Sequence, residues 1–269
     1  MPKESDDLAA ALFVDGRERD PLRWVAEEGK RKILKRFYEE ASVAPQGEGF
    51  AVLLDGKALR TPARAPLLVP TQASAQAIAA EWAGQGETVD PASMPLTRLA
   101  NSALDGVAPR MAEVAADAAR YAESDLLCYR AAEPESLVRA QNEAWDPPLA
   151  FIREKCGARF VLSEGVIFHA QAEESLQAVA ALLNETVGRT PAAPFRLAGL
   201  HVMTTLTGSV LLALAVALRF RDVEAGFAAA RVDEDHQMRV WGEDVEALTR
   251  RARRLEEMRA AARLAALAG

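Results

Sequence analysis

Cysteine is nearly missing from this chain, with only Cys128 and Cys156 present. Two thiols this far apart make neither a disulfide scaffold nor a CxxC redox or zinc motif, so both are read as core thiols in a reducing compartment. Positive charge is also in short supply: 32 Lys and Arg face 39 Asp and Glu, for a formal net charge of −7 and an isoelectric point near 5.2. Binding phosphates calls for a concentrated basic face, so nucleic acid and acidic membrane surfaces are poor partners and a protein is the expected one. The opening MPKESDDLAA has early acids and no apolar h-region, which excludes a secretory signal and fits poorly with an Arg-rich transit peptide. The expected location is a bacterial cytoplasm, or a mitochondrial matrix if the chain is a processed eukaryotic homologue.

Long uncharged runs are equally scarce. The stretch 198–218, AGLHVMTTLTGSVLLALAVAL, has the length of a membrane span, but its first half carries His201, Thr204, Thr205, Thr207 and Ser209. The dense apolar part, Val210 to Leu218, has the length of a buried helix, and no membrane span is expected. The usual signatures of chemistry are missing too. There is no P-loop and no GxGxxG after a strand to cradle phosphates, no GxSxG nucleophile elbow and no HExxH. His169, His201 and His236 lie in separate segments and are read as surface or satisfied core residues. No cofactor is expected.

What is present is an ordinary folding composition, 50% apolar and 26% charged, in 269 residues, enough for two modest domains. Residues 1–34 read as a partly ordered lead-in. Residues 35–105 read as a mixed α+β domain: GFAVLLDGKALRTP is a hairpin about Asp55-Gly56, PLLVP a further strand, and Thr71 caps a helix carrying Ala75, Ile78, Ala79 and Trp82 at helical spacing. Residues 106–269 read as mainly helical, interrupted by a small hairpin in ARFVLSEGVIF (158–168) about Glu164-Gly165. The fold class is therefore α+β, with a small mixed N-terminal domain and a helical C-terminal one. Trp82 and Trp145 are read as buried anchors.

The densest polar constellation is RVDEDHQMRVWGEDVEA (231–247). Asp233, Gln237 and Trp241 stand at i, i+4 and i+8 and share a helical face. Asp233, Glu234, Asp235 and His236 are metal-ligand types, yet four consecutive helical residues point around about 300° of the circumference and do not converge alone. A solvated acidic helix start is one reading, with carboxylates favoured by the helix dipole, and an interaction face anchored by Trp241 is another. A last helical stretch runs from Asp233 toward the end, with Val245, Leu248, Ala252, Leu255 and Met258 as a packing stripe and Arg250, Arg251, Arg253, Arg254, Arg259 and Arg263 solvated.

Several segments in order, KRFYEEASV, VLLDGKALRTP, AAEWAGQGETVDPASMPLTRLANSALD, DLLCYRA, QNEAWDPPL, LTGSVLLALAVAL and DEDHQMRVWGEDVEA, resemble the F1-ATPase assembly chaperone family of mitochondria and α-proteobacteria. The resemblance covers about residues 35 to 247. It implies an α+β domain followed by a helical one, and a non-enzymatic chaperone that binds the unassembled F1-ATPase α subunit and covers the surface that later meets β. It further implies that the partner-binding residues are Asp233, Glu234, Gln237, Trp241, Gly242, Asp244 and Glu246; the chain itself is expected to be a monomer. A metal-dependent enzyme using the Asp233 to His236 cluster and a scaffold for another complex are the alternatives from other classes.

Overall fold

The structure is a computed structural model that describes residues 34–165, 167–242 and 244–269. The expected lead-in before residue 34 lies outside the described residues. The chain divides into two compact units, one reaching Pro109 and including Leu267–Gly269, the other Arg110–Ala266.

In the first unit, β1 (Leu34–Lys35) pairs with β6 (Thr88–Val89), and a second antiparallel sheet runs β2 (Ala41–Gln46), β3 (Gly49–Leu54), β4 (Lys57–Ala58), with β5 (Leu68–Val69) also on β3. Both hairpins are closed by residues suited to φ > 0. Gly47, at φ 59, opens the two-residue β2–β3 turn, and Asp55-Gly56, at φ 47 and 75, makes the mirror-image turn that the Asp-Gly pair predicts. The Asp55 carboxylate also accepts from the Glu39 and Glu40 N–H groups, which holds it below the usual carboxylate range. Helix α1 (Gln72–Ala83) starts in a capping box between Thr71 and Ser74 and buries Ala75, Ile78, Ala79 and Trp82, the stripe read from spacing. Tyr38 Oη donates to the Trp82 carbonyl at 2.6 Å while the two rings meet edge to face. One step back on α1, Glu81 accepts from Leu96 N (2.7 Å), Thr97 N (2.8 Å) and Thr97 Oγ1 (2.7 Å), capping α2 (Pro95–Asn101), which runs on into a π-helical turn, Ser102–Val107.

The second unit is helical: α3 (Met111–Arg120), α4 (Glu135–Cys156), α5 (Glu173–Val187), α6 (Ala193–Thr207), α7 (Val210–Ala217), α8 (Val223–Ala229), α9 (Val232–Trp241) and α10 (Val245–Leu267). Helix α4 continues through Pro147 and Pro148 because Gln141, Trp145, Pro148 and Ile152, at helical spacing, are all buried along it. The core centres on α7, whose residues Val210–Val216 are all buried. Gly208, at φ 68, ends α6, and Ser209 caps α7 by accepting from Leu212 N. That break divides the uncharged stretch 198–218, and among the described residues no helix is long and apolar enough to cross a membrane.

Three expectations are corrected. The described residues of 158–168 form no hairpin: β8 (Ser163–Glu164) pairs in parallel with β7 (Tyr129–Arg130). The Gln171 side-chain amide takes the place of a partner strand, accepting from Val161 N (2.8 Å) and donating to Val161 O (3.0 Å). Of the two cysteines only Cys128 is a core thiol, its pKa pushed up to about 12 by burial; Cys156 ends α4 half-exposed. The final helical stretch is not continuous, since Gly242 separates α9 from α10, and its packing stripe holds only from Met258 onward, with Val245 and Ala252 exposed.

Candidate interaction surface

Helix α9 is held from three sides by its acidic first turn. Arg231, buried just before the helix over the Phe227 ring, pairs with Glu234 Oε1 at 2.6 Å and donates to the Leu206 carbonyl at 3.0 Å. Asp233 Oδ1 accepts at 2.7 Å from Gln141 Nε2 of α4. Gln141 is 2% exposed, and its Oε1 accepts from Ala131 N at 2.8 Å, so one amide ties two segments together. Asp235 forms an ion pair with Arg251 of α10 that raises the arginine's pKa. Beneath them Trp145 Nε1 donates to the Ala229 carbonyl at 2.7 Å.

With this framework fixed, the far end of α9 projects. Trp241 is 86% exposed and its neighbour Val240 58%. Gly242 turns the chain at φ 93 and ψ 168, a region open essentially to glycine alone. Helix α10 then begins under Asp244, whose carboxylate accepts from Glu246 N at 2.9 Å, and places Val245 outward, 77% exposed. Arg250 reaches back to Glu246 at 3.4 Å and Asp244 at 3.9 Å. The result is an apolar elbow of Val240, Trp241 and Val245, with exposed acids at 234, 244 and 246 on the same two helices.

Of the residues read from sequence, Trp241, Gly242, Asp244 and Glu246 fall together at the elbow, Gln237 is exposed one turn before it, and Glu234 is exposed near the helix start. Asp233 stands apart: it is half-buried against Gln141. The metal-site alternative is not supported by this geometry, because Asp233, Glu234 and Asp235 are engaged by three different side chains, and among the described residues no three metal-ligating groups converge. Sequence reasoning missed Val240, and it assigned Val245 to the packed stripe. It also missed a second exposed apolar group, Val161, Leu162, Ile167 and Phe168, which the expected hairpin would have paired. Neighbouring apolar residues around a helix-breaking glycine were the signal available for the elbow.

Comparison with known proteins identifies the framework. A profile of the ATP12 chaperone protein matches residues 35–153. The crystal structure of Atp12 from Paracoccus denitrificans is 42% identical and superposes with a TM-score of 0.81 over 88% of this chain and 99% of that one. A point-substituted form of the same P. denitrificans protein gives 41% identity and a TM-score of 0.81, covering 88% and 98% of the two chains. The Atu1473 protein of Agrobacterium tumefaciens is 43% identical with a TM-score of 0.85, covering 98% of this chain and 97% of its own. The fold, an α+β unit followed by a helical one, is shared, as the resemblance in the sequence implied. At this identity, over almost the whole Paracoccus protein, the chain belongs to the ATP12 chaperone family.

Proposed function

We propose that this chaperone binds the unassembled α subunit of the F1 ATPase, shields the surface that later meets β, and keeps the subunit soluble until the hexamer forms. An isolated subunit of an obligate ring exposes an apolar interface that aggregates unless covered, and release requires that the cover be modest in area and affinity. The observation that carries the reading is Trp241, a large aromatic left outside the core where α9 ends at Gly242. Val240 and Val245 extend the apolar contact, and Glu234, Gln237, Asp244 and Glu246 supply a polar, acidic margin that steers encounter with a basic rim on the client. Asp233 contributes from beneath, through Gln141, by setting the direction of α9. The chaperone acts as a monomer, without catalysis, in the cytoplasm of a bacterium or the matrix of a mitochondrion.

The test is affinity for the cognate α subunit. Trp241→Ala is expected to weaken binding by about 2 kcal/mol, some thirtyfold, with no loss of thermal stability because the ring packs against little. Glu234→Lys combined with Asp244→Lys is expected to slow association at low salt. Unchanged affinity in both variants would remove the elbow from the client surface.

A further inference from the structure

The larger sheet of the first unit ends on β2, and among the described residues no strand pairs with its outer side. The two-residue turn makes Gln46 and Gly49 a hydrogen-bonded pair, so Gln46, Ala44 and Ser42 direct their N–H and C=O groups toward β3. Ala41 and Val43 point theirs outward, and Pro45, next in that row, has no N–H to present. Beside this edge lies a groove of about 380 Å³ between β2 and α1, walled by Ala41, Val43, Gln72, Gln76, Ala80 and Ala83. Ala80 and Ala83 leave room for an incoming backbone, and the exposed amides of Gln72 and Gln76 stand ready to donate to it or accept from it.

We propose that this groove takes an extended segment of the client subunit as an added strand, hydrogen-bonded to Ala41 and Val43 with short apolar side chains at alternate positions against Ala80 and Ala83. The inference rests on the client reading above and adds a second, main-chain contact in the other unit. The open row of N–H and C=O groups specifies a strand as occupant, since only a main chain in extended form presents the complementary row. A second copy of this chain fits less well. Antiparallel self-pairing of β2 about Val43 sets Ala41 against Pro45, and each such pair lacks one hydrogen bond, whereas a foreign strand opposite Ala41 and Val43 satisfies both residues.

The cognate F1 α subunit is the probe. Val43→Pro deletes an outward N–H and leaves the bonds to β3 intact, Val43→Thr keeps that N–H, and Ala80→Arg fills the groove from an exposed helical position. Val43→Pro and Ala80→Arg are expected to weaken α binding about 3- to 10-fold, Val43→Thr to leave it unchanged, and amide exchange at Ala41 and Val43 to slow in the wild-type complex. If Val43→Pro fails to fold, Ala80→Arg and the exchange measurement decide. An α complex with wild-type affinity in Ala80→Arg and no added protection of those amides overturns strand addition while the client reading stands. Protection that appears with the chaperone alone at high concentration assigns the edge to a second copy and overturns it too. No complex with the wild-type chain overturns the client reading and this inference together.

Discussion

At the scale of single residues, the most consequential side chain outside the elbow is Asp125. It is fully buried, accepts from Leu127 N (3.1 Å) and Leu211 N (3.2 Å), and is bonded by the Ser209 hydroxyl, so one carboxylate anchors the first turn of the core helix α7. Burial outweighs these bonds and raises its pKa from 3.8 to about 6. A carboxyl whose folded pKa lies above its unfolded value holds a proton in the folded chain that the unfolded chain has lost. Its contribution to stability is therefore greatest below the unfolded value and declines as pH rises through about 6. Asp125→Asn removes that titration. The difference in unfolding free energy between wild type and Asp125→Asn is expected to shift by about 2 kcal/mol against the wild type between pH of about 4 and 7. A difference independent of pH would contradict the burial argument. The sequence contained this residue inside DLLCYRA but offered no sign of its role, because Leu211 N, the core-helix group it accepts from, is 86 positions away along the chain. Trp82 and Trp145, by contrast, were legible as anchors, since an indole's size alone favours burial.

At the scale of elements, turns with a defined chemistry were readable and turns set by tertiary partners were not. Asp55-Gly56 and the Thr71 cap act within a few residues, and both stand where expected. The 158–168 segment has the composition of a hairpin, but its pairing was decided by Gln171 and by β7, neither of which lies in the run itself. The α9–α10 elbow was hidden because Gly242 stands between two strongly helical stretches, where a lone glycine is tolerated as readily as it terminates. Its ψ of 168 at φ 93 makes it more than a weak helix former. Gly242→Ala is expected to cost about 1 to 3 kcal/mol, read as a lowered Tm, even though a Cβ there would meet nothing within 4 Å. An unchanged Tm would mean the elbow adopts an ordinary backbone.

At the scale of the whole molecule, an α+β class with a mixed first unit and a helical second one followed from local periodicity, and the family followed from the order of seven weak segments. What could not be read was which apolar residues remain outside the core: the loosely spaced apolar positions of α10 drift around its axis, so that Val245 and Met258 face sides about 140° apart, the first outward and the second inward. That difference divides the final helix into an outer half and a packed half, and it places the exposed Trp241 where the two helices meet. The role proposed for this surface is to receive an unassembled α subunit. It is tested most directly by co-expressing the chain with its cognate F1 α subunit and following the mixture by size exclusion before and after β is added. The expected result is a one-to-one complex that keeps α soluble and dissolves when β arrives. Aggregation of α at the same level with and without the chain would contradict it.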